Sequence, residues 1–316
     1  MTVNAPVIVA EVVRSGFVEG HHRGSVVALA PDGQVEWAVG DVKSQVFARS
    51  SNKPLQAVGM LRCGLVLEPR LLALVCASHS GEPFHVDGVR KILAESGLDE
   101  EALQTPPDYP LDDEARLAVI RSGGGPASVT MNCSGKHAGM LAACVLNGWS
   151  TEDYRGPDHP LQLAIRAAFE SLTGEPSSAV GVDGCGAPLF AASLTSLAQA
   201  FRTLVTAAPE TAEGRVAAAV ATFPEFASGT RRDEAKLLRA LPGAIGKAGA
   251  EASYAVALPD GRAFALKIDD GGHRARPVVM AAALRRSGVH HPVIDELGRY
   301  ELLGGGRPVG EVRATI

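Results

Sequence analysis

Residues 24–40, GSVVALAPDGQVEWAVG, and residues 254–268, YAVALPDGRAFALKI, decide the fold between them. Each is a pair of β-rich runs broken at an Asp-Gly step, Asp32-Gly33 in the first and Asp260-Gly261 in the second. Asp-Gly tolerates the positive φ that tight hairpin turns demand, so both stretches are expected as β-hairpins. They lie near opposite ends of a 316-residue chain. Helical periodicity fills the interval, at 54 to about 63, 86–96 before Gly97, 135–147 before Gly148, 160–172 and 188–205, and one more helix is expected at 277–286. A hairpin, then helices, then a hairpin and a helix is not the alternation of a parallel doubly wound sheet. The expected class is α/β of the α+β type: one antiparallel sheet built from N- and C-terminal strands, helices covering it, and a helical lobe. A cleft is expected where sheet and lobe meet, with residues 1–316 forming a single two-lobed domain. RSGGGPAS at 121–128 and LLGGGRP at 302–308 are expected as flexible loops.

Composition excludes several functions. The chain is 46% hydrophobic and 21% charged, with a net charge of -5 and no basic run longer than Arg231-Arg232 or Arg285-Arg286. That gives no electrostatic footprint for nucleic acid, so the expected partner is a small molecule that is not a polyanion. At the N-terminus, MTVNAPVIVAEVV has no basic residue ahead of its apolar stretch, and Glu11 interrupts it. It fits neither a signal peptide nor a membrane span, and a cytoplasmic protein is expected. The five cysteines, Cys63, Cys76, Cys133, Cys144 and Cys185, are odd in number and scattered, which favours thiols over a disulfide framework.

Residues 49–57, RSSNKPLQA, put a serine and a lysine three apart where a helix begins. Ser50 suits an N-cap and Pro54 a first turn, and helical geometry then sets Ser50 and Lys53 on one face. A serine hydroxyl becomes nucleophilic when a base removes its proton, and a lysine serves once burial or a neighbouring cation brings its pKa toward neutrality. The same four residues also describe an ordinary capped helix with a solvated lysine, so other stretches must decide.

Three do. LLALVCASHSGEPFHV at 71–86 is expected as a buried strand ending in the polar cluster Ser78, His79, Ser80 and Glu82. MNCSGKHAGML at 131–141 gathers Cys133, Lys136 and His137, with Gly135 permitting a close backbone approach, and GVDGCGAPLF at 181–190 places Asp183 and Cys185 in a glycine-rich loop. The spacing of the two cysteines is not that of a zinc finger. Finally, alternation in FALKIDDGG at 264–272 sets Lys267 on the face opposite Phe264, Leu266 and Ile268, where it can point into the cleft. A strand lysine facing S-x-x-K is similar to the serine β-lactamase arrangement, although S-D-N is missing and K-I-D-D-G stands in place of K-T-G.

Taken together in this order, RSSNKPLQA, CASHSGEPFH, MNCSGKHAGML, GVDGCGAPLF and ALKIDDGG resemble the type II L-asparaginase family sometimes called thermolabile or rhizobial-type. The resemblance covers essentially the whole chain. It implies a fold similar to serine glutaminases and class A β-lactamases, hydrolysis of L-asparagine to L-aspartate and ammonia, and a homodimer. It also implies two catalytic tandems, Ser50 with Lys53 and Ser78 with Lys267, and a zinc ion held by Cys133, Lys136 and Cys185 with Asp183 close by. For the substrate, Arg49 is the candidate for the α-carboxylate, Asp183 or Glu82 for the α-ammonium, and His137 for a hydrogen bond. Two other readings stand beside this one. A glutaminase or β-lactamase-like serine acyl-transfer enzyme would use the same nucleophile, and a non-catalytic amino-acid- or metal-binding protein would bind without releasing ammonia.

Overall fold

Both Asp-Gly stretches close as hairpins in the computed structural model, which describes residues 7–316; residues 1–6, where the N-terminal reading begins, lie outside the described residues. Strand β1 (Val7–Arg14) is followed by β2 (Phe17–Leu29), which turns at Pro31–Gly33 into β3 (Val35–Val39). Near the other end, β7 (Ile245–Ala248), β8 (Ser253–Ala257) and β9 (Ala263–Ile268) follow one another antiparallel. The hairpins meet where β2 pairs with β9, Val26 opposite Leu266 and Ser25 opposite Lys267. With β10 (Tyr300–Gly304) and β11 (Arg307–Ala314) the sheet order is β10-β11-β1-β2-β9-β8-β7, and β3 pairs with β2. The expected antiparallel sheet from both chain ends is therefore present. LLGGGRP is part of it: Gly304–Gly306 turn β10 into β11 rather than forming a flexible loop.

Every residue of β7 and β8 is buried, and so is β9 except Lys267, which tells that both faces of this part of the sheet are covered. The cover comes from α7 (Leu194–Thr206) and α11 (Ala275–Arg286), each packed against β8 and β9. The remaining helices include α1 (Lys53–Arg62), α2 (Pro69–Val75), α3 (Pro83–Glu95), α4 (Asp113–Arg121), α5 (Ser134–Asn147) and α6 (Pro160–Thr173). After α7 come α8 (Ala212–Thr222), α9 (Pro224–Ala227) and α10 (Asp233–Ala240), and α12 (Pro292–Leu297) follows α11. Among the described residues no helix is long and apolar enough to cross a membrane.

Two expected elements change type. Residues 69–75 form α2 rather than a strand, because a short wholly apolar run carries no period to separate the two and Pro69 opens a helix at its first turn. Residues 188–193 form strand β6, which pairs between β4 (Gln45–Phe47) and β5 (Val180–Val182). The helix expected from Pro188 starts instead at Leu194, where the Ser193 side chain accepts from the N–H of Ser196.

What Gly135 approaches is α2. A Cβ built there would lie 2.7 Å from the Leu74 carbonyl oxygen, so only glycine lets α5 rest directly on that helix. Gly135→Val is expected to destabilise the fold by about 1–3 kcal/mol through overpacking, read as a lower midpoint of thermal unfolding; an unchanged midpoint would contradict this packing.

Candidate active site

Ser50 does not cap a helix. A 3-10 turn at Arg49–Asn52 leads into α1; Ala48 and Asn52 hold the two capping positions, and neither makes a side-chain cap bond. Among the described residues the Ser50 hydroxyl makes no hydrogen bond; the residue is only 8% exposed and faces a cavity. Lys53, 1% exposed, points inward from the first turn of α1. Its Nζ donates to the Ala77 carbonyl at 2.5 Å and to Ser78 Oγ at 3.0 Å, and stands 3.1 Å from Cys133 Sγ. The S-x-x-K stretch therefore delivers its lysine to Ser78, across the two expected tandems.

Ser78 sits just past the end of α2, and the next residue anchors its loop. His79 Nδ1 accepts from the N–H of Gly81 at 3.1 Å, so Nε2 carries the proton and donates to Ser134 Oγ at 2.8 Å. Burial, then His85 and Lys53, hold His79 well below the usual histidine range, in keeping with a neutral ring.

Lys267 does not reach Ser78. It is half-buried on β9, and its ammonium donates to the carbonyl of Ile268. A lysine not expected in the site, Lys247 on β7, directly precedes Ala248 and Gly249, which line the cavity with Ser50 and Ser78. It is 1% exposed, pairs with the equally buried Glu234 at 3.0 Å, and donates to the Ala248 carbonyl at 2.5 Å. Burial lowers its pKa to about 8, with Lys53 and Arg232 adding to the effect and Glu234 opposing it. Burial works to raise Glu234, but Lys247, Arg232 and Arg276 outweigh it and hold this carboxyl well below the usual range. The available signal is GKAG at 246–249: it has the K-x-G spacing sought at Lys267, set in an apolar strand.

Gly249 brings this strand against the serine. A Cβ there would meet the Ala48 carbonyl at 2.8 Å and the Ser50 amide nitrogen at 3.0 Å. Backbone strain flanks the contact, since Arg49, Glu251 and Ala252 all take positive φ of 49°, 56° and 50°.

Below Ser78 lies the thiol group. Cys133 and Cys185 are buried and form no disulfide, Lys136 Nζ stands 3.2 Å from Cys185 Sγ, and His137 Nδ1 is bonded to the Tyr154 hydroxyl at 2.7 Å while its Nε2 has no hydrogen-bond partner among the described residues. Cys133 Sγ donates to Asn132 Oδ1 at 3.1 Å; Cys185, then burial, pushes the Cys133 thiol well above the usual range, while Cys133, with Lys136 and His137, pulls Cys185 far down. Burial tends to lower Lys136, but Cys185, Cys133 and Asp183 outweigh it and its pKa is raised.

The other expected substrate contacts are occupied by protein. Arg49 Nε donates to Asp183 Oδ1 at 2.8 Å, and Glu82 accepts from the Thr230 N–H at 2.9 Å and hydroxyl at 2.6 Å. None of these three lines the cavity of about 430 Å³ that opens on Ser50, Ser78 and Asn132. Its far wall holds Arg232, His273 and Arg276, none of which the sequence reading singled out.

A family model described as L-asparaginase II matches residues 10–314. No curated protein matches the chain. Among solved structures, a β-lactamase from Mycobacterium bovis is similar at 15% identity and TM-score 0.45, with 83% of this chain and 94% of that chain covered. A protein named Mglu is similar at 13% identity and TM-score 0.45, covering 89% and 71%. EstCE1, a hydrolase with promiscuous acyltransferase activity, is similar at 14% identity and TM-score 0.40, covering 78% and 88%.

Glu234→Gln would set an amide against Lys247 and Arg232 with no charge to balance them. The expected loss is about 3–5 kcal/mol in denaturant unfolding, as for other buried ion pairs broken on one side; a loss within experimental error would show that the pair does not hold the site together.

Proposed function

The chain belongs to the L-asparaginase II family, and from that premise we propose that it hydrolyses the side-chain amide of L-asparagine to L-aspartate and ammonia. The observation that carries the reading is Ser50: a hydroxyl on the cavity wall that makes no hydrogen bond among the described residues, beside Ser78, which Lys53 holds, and beside Gly249, which follows Lys247 on the adjacent strand by two residues. Amide hydrolysis needs a nucleophile, a base, a proton for the leaving nitrogen and donors for the oxyanion. Ser50 Oγ attacks the amide carbon as its proton passes to a neutral lysine. Lys247, with its pKa near 8, suits that task and takes the role expected of Lys267. The Ser78 hydroxyl, held by Lys53, relays a proton to the departing nitrogen, so that the carbon–nitrogen bond breaks and ammonia leaves. Water then hydrolyses the aspartyl ester on Ser50. The backbone N–H groups of Ser50 and Ala250, on cavity residues and engaged in no hydrogen bond among the described residues, are suited to the oxyanion.

Zinc is part of the proposal. Among the described residues no three His, Cys, Asp or Glu side chains gather to hold a metal, so the donors would be the two thiols of Cys133 and Cys185 with the Lys136 amine as third. Two soft sulfurs and an amine 3.2 Å from one of them are a donor set that fits zinc, the ion displacing the proton that the two cysteines and Asp183 otherwise favour on Lys136. The ion would supply a fixed positive charge next to the lysine that holds Ser78.

Glutamine differs by one methylene, which an apolar wall rejects by only about 1–3 kcal/mol, so asparagine is expected to be preferred by roughly 10- to 200-fold. Ammonia release from both amides, with zinc content measured on the same samples, should show that preference, and Ser50→Ala should abolish turnover while keeping zinc. Full activity in Ser50→Ala would move the nucleophile elsewhere.

The base must be neutral to act, so kcat/KM should rise with pH through about 8 as Lys247 loses its proton. The rising limb should vanish in Lys247→Met along with most of the activity. An unchanged limb in that variant would assign the titration to another group.

A further inference from the structure

The cavity continues past the reacting serines to a wall that the hydrolysis of an amide does not by itself require. Arg276, 7% exposed, lines it from the first turn of α11. Its Nη2 pairs with Asp233 Oδ2 at 2.6 Å, its guanidinium lies 5.5 Å from the Tyr254 ring centre, and its Nε is buried without a hydrogen-bond partner among the described residues. Arg232, also on the cavity, pairs with Glu234 at 3.0 Å, a carboxylate already shared with Lys247. The two guanidiniums on this wall thus share two carboxylates, Asp233 and Glu234, the second of them also held by Lys247. His273 lines the same wall, and the N-terminus of α11, a twelve-residue helix, adds its positive end.

Two guanidiniums side by side on the cavity wall, one of them with a donor left unmatched, suit a planar anion. We propose that Arg276, assisted by Arg232 and His273, binds a carboxylate of the substrate and thereby sets which amides the enzyme accepts. This rests on the amidohydrolase reading and adds to it, because Arg49 is committed to Asp183 and does not line the cavity. The carboxylate has two sources. It is the α-carboxylate when asparagine is the substrate, or the carboxylate of an amino-acid leaving group when the substrate is a β-aspartyl peptide. The room is sufficient for the latter, since about 430 Å³ lies within the range of pockets that hold ligands much larger than asparagine.

The test uses the full-length protein and capped substrates. Wild type, Arg276→Met and Arg276→Lys are assayed for turnover of L-asparagine and its α-methyl ester, and of β-L-aspartylglycine and its glycinamide. Binding of L-aspartate and its α-methyl ester is measured by calorimetry, which needs no turnover. Removing the relevant carboxylate should lower kcat/KM by about tenfold or more in wild type, and Arg276→Met should erase most of that difference. Arg276→Lys, which keeps the charge, should retain part of it, and thermal unfolding of both variants identifies misfolding. Discrimination between asparagine and its ester assigns the receptor to the α-carboxylate; discrimination between the dipeptide and its amide assigns it to the leaving group. The proposal is overturned if capping changes neither turnover nor binding in wild type, or if the discrimination survives Arg276→Met intact. Loss of aspartate binding in Arg276→Met without ammonia release from any substrate would support the receptor and sink the amidohydrolase reading instead.

Discussion

Three ammonium groups buried in one protein interior set the terms for everything around them. Lys53, Lys136 and Lys247 are each 1% exposed, and taking a cation out of water costs several kcal/mol unless anions and carbonyl oxygens replace the lost hydration. The replacements are few. Lys247 has Glu234 and the Ala248 carbonyl, Lys53 has the Ala77 carbonyl and Ser78, and Lys136 has the Cys185 sulfur. At Lys247, burial together with the nearby charges of Lys53 and Arg232 outweighs even the Glu234 carboxylate, which is how this lysine comes to hold its proton only to about pH 8.

The fold exists in large part to bring these lysines together from distant segments. Lys53 comes from the start of α1, Lys136 from the first turn of α5, and Lys247 from an inner strand of the antiparallel sheet. Close approach is secured by glycine where side chains would intrude, at Gly135 against α2 and at Gly249 against the Ser50 amide. The strain at Arg49, Glu251 and Ala252 lies on both sides of the second contact. A backbone held in the left-handed region by non-glycine residues persists only where the surrounding packing fixes it, and here that packing positions the serine.

Much of the frame was legible in the chain itself. Asp-Gly steps between β-rich runs announced both hairpins, and the separation of strands from helices along the chain announced one antiparallel sheet. Less legible were short apolar runs: residues 69–75 and 188–193 carry no clear period, and each took the other secondary structure. Local grouping pointed to residues that the fold does bury together, Lys53, Ser78 and Cys133, although it paired Lys53 with Ser50 rather than with Ser78. The site was not readable where it depended on tertiary pairing. Lys267 sits at a strand end beside two aspartates and looks functional, whereas Lys247 is hidden in an apolar strand, and its partner Glu234 lies thirteen residues away on α10. Alternation gives the face of a strand lysine but not its neighbours, so the choice between the two could not be made without the fold. Arg232 and Arg276 went unnoticed for the same reason.

The central claim is that Ser50, served by buried lysines, carries the acyl group. The most direct test is to quench the protein in acid during turnover of L-asparagine and map the modified peptide by mass spectrometry. The account predicts an aspartyl ester on the peptide containing Ser50, accumulating further when deacylation is slowed at low pH. An ester on Ser78, or steady ammonia release with no acylated serine at any time, would contradict it.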